Sequence, residues 1–123
     1  GAGSVSVTAT GETVIGGVVT GTINAGGRGI FAYNSLNDVA ATVGVTNNQV
    51  IKSGSLGIFA RSAGGDVTVV NKGEIASGSS GITADSSKGG VSIDNAGVIQ
   101  AQNGQGIVAR AAGDVTIANT KSI

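Results

Sequence analysis

Histidine and cysteine are absent from this sequence, so acid–base chemistry would rest mainly on its carboxylates. Without histidine the usual general base and zinc ligand are missing, and without cysteine there is no thiolate nucleophile. A hydrolase or lyase would therefore depend on carboxylates that converge on one place. The aspartates are instead spread along the chain, at Asp38, Asp66, Asp85, Asp94 and Asp114.

A column of asparagines is the most regular polar feature. Asn47, Asn71, Asn95 and Asn119 are each 24 residues apart. An amide at the same place in every repeat can hydrogen-bond to its counterpart in the next repeat, and asparagine tolerates the left-handed backbone of a turn. We therefore interpret the column as a structural ladder at a turn, in preference to a site for a sugar or a metal.

The asparagine spacing belongs to an internal repeat. The pair Gly-Ile recurs at positions 29, 57, 81 and 106, and each repeat contains three alternating segments, G-I-x-A-x, V-x-[VI]-x-N and G-x-[VI]-x-[AS]. Such segments, bounded by Gly, Ser, Asn and Asp, predict three short strands per repeat, each stacked on its counterpart in the next. A shorter, diverged copy occupies residues 4–28. The sequence predicts an all-β, right-handed parallel β-helix of about five coils, with residues 1–123 forming a single segment.

The alternation predicts which side chains fill the core. The apolar residue at every second position of each segment is expected to point inward, between three close walls that leave no room for rings. The inward set is Ile30, Ala32, Ile51, Ile58, Ala60, Val67, Val69, Ile75, Ile82, Ala84, Val91, Ile93, Ile99, Ile107, Ala109, Val115 and Ile117.

The alternate positions predict an outward aromatic group on two adjacent coils. About four inserted residues between positions 33 and 43 predict a loop beside these rings, and insertions in a solenoid often lie on the binding face. We expect the loop to fold back over the rings as an apolar cluster; the alternative is an exposed platform for a sugar or a protein. The possible ligand contacts are Phe31, Tyr33, Phe59, Leu36 and Asp38.

Two groups of charged residues share columns of the repeat. Arg61, Asp85 and Arg110 occupy equivalent outward positions, where we expect a surface charge ladder contributing under about 1 kcal/mol per pair, in preference to an anion site. Asp66 and Asp114 share a turn column, roughly 9.6 Å apart, which suits an inverting pair of carboxylates only marginally. We interpret them as turn residues that begin a strand, and we expect no enzymatic activity and no cofactor.

Net charge and hydropathy narrow the partners. With seven basic and seven acidic residues, the sequence has no electrostatic footprint for nucleic acid, and no apolar run approaches the roughly 18 residues of a membrane span.

Neither end carries a cluster of charges that would cap an open coil. We therefore expect end-to-end self-association.

The run GIFARSAGGDVTVVNKGEIASG, from Gly57 to Gly78, resembles the repeats in β-helical passengers of bacterial autotransporters and, more loosely, those of filamentous haemagglutinin-like adhesins. The resemblance implies a fragment of a longer passenger that is exported across a Gram-negative envelope and displayed at the cell surface, anchored through a C-terminal barrel outside this chain. It implies a stalk or adhesin, with glycans or proteins of host or bacterial surfaces as partners. The alternatives are a ligand-binding face on a β-helix and the remnant of a carbohydrate-active β-helix enzyme.

Overall fold

A computed structural model describes residues 5–9, 14–15, 18–19, 22–34 and 42–120. Within these residues the chain is all-β, with short strands and no helix. The strands are β1 (Val5–Ala9), β2 (Val14–Ile15), β3 (Val18–Val19), β4 (Thr22–Ala25), β5 (Ile30–Asn34), β6 (Val43–Asn47), β7 (Val50–Ser53), β8 (Ile58–Ser62), β9 (Val67–Asn71), β10 (Ile75–Ser77), β11 (Ile82–Ser86), β12 (Val91–Asn95), β13 (Ile99–Ala101), β14 (Ile107–Ala111) and β15 (Val115–Asn119).

Three parallel sheets form the walls of a β-solenoid. Sheet 1 contains β4, β7, β10 and β13, sheet 2 contains β5, β8, β11 and β14, and sheet 3 contains β1, β6, β9, β12 and β15. From β4 onward, consecutive strands belong to consecutive sheets, so each strand pairs with the strand one turn away rather than with its neighbour in sequence. The predicted all-β class with parallel stacking is confirmed.

The repeat sets the register of these sheets. In sheet 2, Ile58 is paired with Ile30 on one side and with Ile82 on the other. A shift by one residue would turn every inward side chain outward, so the buried apolar column holds the turns in register. The same column continues to Ile107 in β14.

The core lies between the three sheets and is built from the predicted isoleucine, valine and alanine columns. Strands β8 and β9 show the expected alternation, with their first, third and fifth residues buried. In the last turn the predicted core residues Ile107 and Ala109 are only partly buried. Two others are about half open to solvent: Val115 is 45% exposed and Ile117 is 47% exposed. They point the same way as Val91 and Ile93, but the described residues place no further strand of sheet 3 beyond β15.

The glycine of the Gly-Ile pairs at positions 29, 57 and 81 is required by close packing between turns. A Cβ atom on Gly57 would lie 2.5 Å from the carbonyl oxygen of Gly81 and 2.5 Å from the Cγ2 atom of Ile75. Gly29 and Gly81 face equivalent neighbours in their own turns. Any larger residue at this column would push two turns apart or displace a core isoleucine.

The number of coils is smaller than predicted. From the first to the last strand of sheet 2 the described chain makes about three turns, not five. The diverged copy at the beginning contributes β1, which pairs with β6, but β2 and β3 pair with each other as an antiparallel hairpin. The sequence there lacks the Gly-Ile pair and instead places Gly-Gly between two apolar pairs, which favours a tight hairpin.

Candidate functional site

The asparagine column forms a continuous hydrogen-bond ladder inside the solenoid, which we call the Asn ladder. The Nδ2 atom of Asn47 donates to Oδ1 of Asn71 at 2.8 Å. Asn71 donates in the same way to Asn95 at 2.7 Å, and Asn95 donates to Asn119 at 2.7 Å. All three bonds point along the solenoid in one direction, so each amide polarises the next.

The same amides also fasten the corner of each turn. In Asn47, Asn71 and Asn95 the Nδ2 atom makes a second donation to the carbonyl oxygen two residues further on, for example from Asn71 to Gly73 at 2.8 Å. From β6 onward, each strand of sheet 3 ends in one of these asparagines, so they belong to the strands and not to the turns. The side chains of Asn47, Asn71 and Asn95 are buried. In β1 the paired position is an alanine, Ala9, so the ladder begins at β6.

Serines close another corner, which the sequence interpretation misses. The Oγ atom of Ser62, at the end of β8, accepts the backbone N–H groups of Gly64 and Gly65. Ser86, in the same column, accepts the N–H of Gly89 at 2.9 Å and donates to the carbonyl oxygen of Gly65 at 2.7 Å. The sequence does contain a signal for these contacts: in the segment I-x-A-x-S the fifth residue, which the alternation places inward, is polar.

Asp66 and Asp114 are the two carboxylates that come closest to a catalytic pair, and Asp66 is engaged in a contact with the backbone. The Oδ1 atom of Asp66 accepts the backbone N–H of Gly90, one turn away, at 2.8 Å. Asp114 is exposed in the same column, beyond Gly90. Among the described residues there is no group of three or more histidine, cysteine, aspartate or glutamate side chains that could hold a metal ion. Asp66 therefore reinforces the turn that begins β9, as the Gly-Asp pattern predicts.

The predicted outward rings come together on sheet 2. Phe31 and Phe59 occupy paired positions of β5 and β8, and their rings stack with centroids 5.2 Å apart and planes within 6°. Tyr33 lies two residues further along β5, with its centroid 6.4 Å from that of Phe31. Phe31 is 49% exposed and Tyr33 is 45% exposed. Phe31 and Tyr33 are therefore about half open to solvent, and Phe59 is partly buried. The loop that is predicted to fold back over the rings lies outside the described residues.

Two guanidinium groups lie against these rings. The Cζ atom of Arg28 is 4.7 Å from the centre of the Phe31 ring and 5.5 Å from the centre of the Phe59 ring. The Cζ atom of Arg61 is 6.0 Å from the centre of the Tyr33 ring. Both distances to Arg28 fall within the range of an attractive cation–π contact. We call the surface formed by Arg28, Phe31, Tyr33, Phe59 and Arg61 the aromatic face.

A charged column continues from this surface. Arg61 is paired with Asp85 in the next turn, and Asp85 is paired in turn with Arg110. The Nε atom of Arg61 lies 3.8 Å from Oδ2 of Asp85. At that distance the pair is electrostatic, since it exceeds the usual length of an N–H···O hydrogen bond. The predicted register of this column is present, with the Arg61–Asp85 ion pair at its centre.

The sequence interpretation of this surface omits Arg28. Its signal is weak, since Arg28 precedes the first Gly-Ile pair, outside the alternation that identifies Phe31. Leu36 and Asp38, the other two predicted contacts, lie outside the described residues.

No helix in the described part of the chain has the length and apolar character needed to cross a membrane. No protein-family model, curated protein sequence or solved structure matches this chain.

Proposed function

We propose that this chain is a non-catalytic structural segment of a secreted or surface-displayed bacterial adhesin, similar in kind to the passengers of autotransporters. In this role the solenoid is a stiff spacer that holds binding surfaces away from the cell. The Asn ladder is the observation that carries the proposal. It repeats one hydrogen-bonding solution from Asn47 to Asn119, so every added turn contributes the same stabilising contacts.

The proposed location can be tested on intact cells of the bacterium that encodes the chain. An antibody against the segment and an added protease would both reach a surface-displayed passenger, so labelling and loss of the epitope are expected without permeabilisation. A periplasmic protein of known location serves as the control for envelope integrity. Protection of the epitope until the cells are lysed would contradict display at the surface.

For the segment in isolation we also propose end-to-end self-association. Val115 and Ile117 in β15 are about half exposed, whereas the equivalent residues of the preceding turn, Val91 and Ile93, are buried. Strand β1 of a second copy could cover them, because its sequence alternates in the same way and it already pairs in parallel within sheet 3. Light scattering should show assemblies that grow with concentration. The double substitution V115K/I117K should abolish them, and assemblies that persist in this variant would contradict the contact.

A second candidate function is ligand binding at the aromatic face. The observation that favours it is the exposure of Phe31 and Tyr33, since exposed rings grouped on one surface of a soluble protein commonly mark an interaction site. This function is compatible with the structural role, because the rings point away from the core. The test is whether a ligand protects these rings, measured as a change in the fluorescence of Tyr33 on titration.

A further inference from the structure

The aromatic and arginine residues of the sequence are gathered on one surface. All three aromatic residues and all three arginines lie on the outer side of sheet 2: Arg28, Phe31, Tyr33, Phe59, Arg61 and Arg110. In contrast, the lysine Lys52 is exposed on sheet 1. Aromatic residues and arginine are the types most enriched at the energetic centres of interfaces, so their segregation marks this side of the solenoid for binding.

The charge of this surface differs from that of the whole chain. The chain has no net charge, but among the described residues the outer side of sheet 2 carries three arginines against one carboxylate, that of Asp85. The Arg61 side chain is 46% exposed, and its ion pair with Asp85 is 3.8 Å long. Such an exposed and extended pair is weak, so the carboxylate of a ligand can compete for the guanidinium. The surface is therefore complementary to an anion.

The surface is also held in place before any ligand arrives. Phe31 and Phe59 lie on paired strands whose alternate side chains are in the core, and their rings already stack at 5.2 Å. A ligand would consequently lose little affinity to the ordering of these side chains. Arg28 is positioned by the same two rings, which places an exposed guanidinium beside an apolar patch.

The backbone of sheet 2 offers little to a peptide that approaches this face. The N–H groups of Ile30, Ile58 and Ile82 are bonded to carbonyl oxygens of the next turn at 2.8–2.9 Å. An extended peptide on the face therefore cannot add as a further strand and would leave its own backbone unpaired there. A polysaccharide has no such requirement, because its C–H faces pack on rings and its carboxylates accept from guanidinium N–H groups.

From these observations we infer that the outer face of sheet 2 binds an acidic polysaccharide, with the sugar rings packed on Phe31 and Tyr33 and the carboxylates held by Arg28 and Arg61. The inference rests on the second candidate function and adds the chemical class of the ligand. It needs no bond to be made or broken. Arg110, exposed in the same column as Arg61 and two turns away from it, would extend the site along the solenoid axis.

The test is calorimetric titration of the whole chain with a short oligogalacturonate, with its fully methyl-esterified form and with poly-L-glutamate. We expect the uronate to bind, the ester to bind at least about tenfold more weakly because its carboxylates are neutral, and poly-L-glutamate to bind more weakly than the uronate. Added salt should weaken the uronate complex, since the charges are exposed.

Two variants and one matched control locate the site. Arg61→Gln removes a guanidinium and Phe31→Leu removes a ring while keeping an apolar side chain, and each should reduce uronate affinity about tenfold. Lys52→Gln makes the same change of charge on sheet 1 and should leave the affinity unchanged. Thermal unfolding of every variant shows whether the solenoid is intact; since Arg61 is exposed, its variant is expected to fold.

Four results would overturn the inference. Equal binding of the ester would show that carboxylates are not recognised, and an equal loss in Lys52→Gln would show attraction to net charge rather than to this face. Binding of poly-L-glutamate in preference to the uronate would identify a peptide partner, which rejects the polysaccharide but keeps a ligand-binding role for the aromatic face. Absence of binding to all three probes would reject both the polysaccharide ligand and the ligand-binding role of the aromatic face.

Discussion

The Asn ladder lies on the inner side of the solenoid and the aromatic face lies on its outer side, and the two sides are constrained differently. The ladder keeps one residue type through four consecutive strands of sheet 3, because each amide must match the amide above and below it. The aromatic face does not repeat: the paired position after Phe31 and Phe59 is Thr83. Inward positions are therefore determined by stacking, and outward positions are free to differ from turn to turn, which is where binding specificity can develop.

The sharpest way to break this comparison uses two adjacent residues of β8. Ile58 is buried and Phe59 is on the outer side. Ile58→Ala should lower the free energy of unfolding by about 4 kcal/mol, since the hydrogen-bonded walls cannot collapse into the cavity. Phe59→Ala should lower it by only about 1 kcal/mol, the contribution of its ring stack. Urea denaturation measures both values, and equal losses would refute the distinction between the two sides.

The next largest effect is expected within the ladder. Asn71→Ala should lower the free energy of unfolding by about 2.5 kcal/mol, because it removes one buried hydrogen-bond partner from the amide of Asn47, from the amide of Asn95 and from the carbonyl of Gly73. Asn119→Ala is the matched control at the last rung, where one amide neighbour is lost, and should lower it by about 1 kcal/mol. Two equal losses, or no loss at all, would mean that the ladder does not act as a connected network.

A smaller effect is expected when both stacked rings are removed. The double variant F31S/F59S should lower the free energy of unfolding by about 1.5 kcal/mol, since it removes one aromatic pair from a half-exposed surface. Hydrogen exchange would report whether β5 and β8 lose protection locally while β12 keeps it. If unfolding is unchanged and uronate binding is lost, the rings serve the ligand alone.

The smallest effect on stability is expected at Arg61. Arg61→Gln should change the free energy of unfolding by less than about 0.5 kcal/mol, since its ion pair with Asp85 is exposed and screened by water and salt. Thermal melts at low and at high salt should nearly coincide for the variant and the original protein. A large, salt-dependent loss would instead mean that the charged column is part of what holds the turns together.

Much of the interior could be predicted because it obeys a strict period. The Gly-Ile pairs and the asparagine spacing identify the strands, their stacking and the inward positions, and these agree with the register from Ile30 to Ile107. The first copy fails where its period fails, and it forms the hairpin β2–β3. The exposure of Phe31 could not be predicted in the same way, because alternation assigns a side of the sheet but not what lies over it.

By itself the sequence determined the all-β class, the period of about 24 residues, the inward columns and the asparagine column, since each depends on a local pattern repeated along the chain. The tertiary structure decided the rest. It decided the direction of the hydrogen bonds between the amides, the position of Arg28 against two rings, and the hydrogen bond from Gly90 to Asp66. Each of these contacts involves residues from neighbouring turns of the solenoid. Such contacts depend on side-chain directions at the corners, which a linear pattern does not encode.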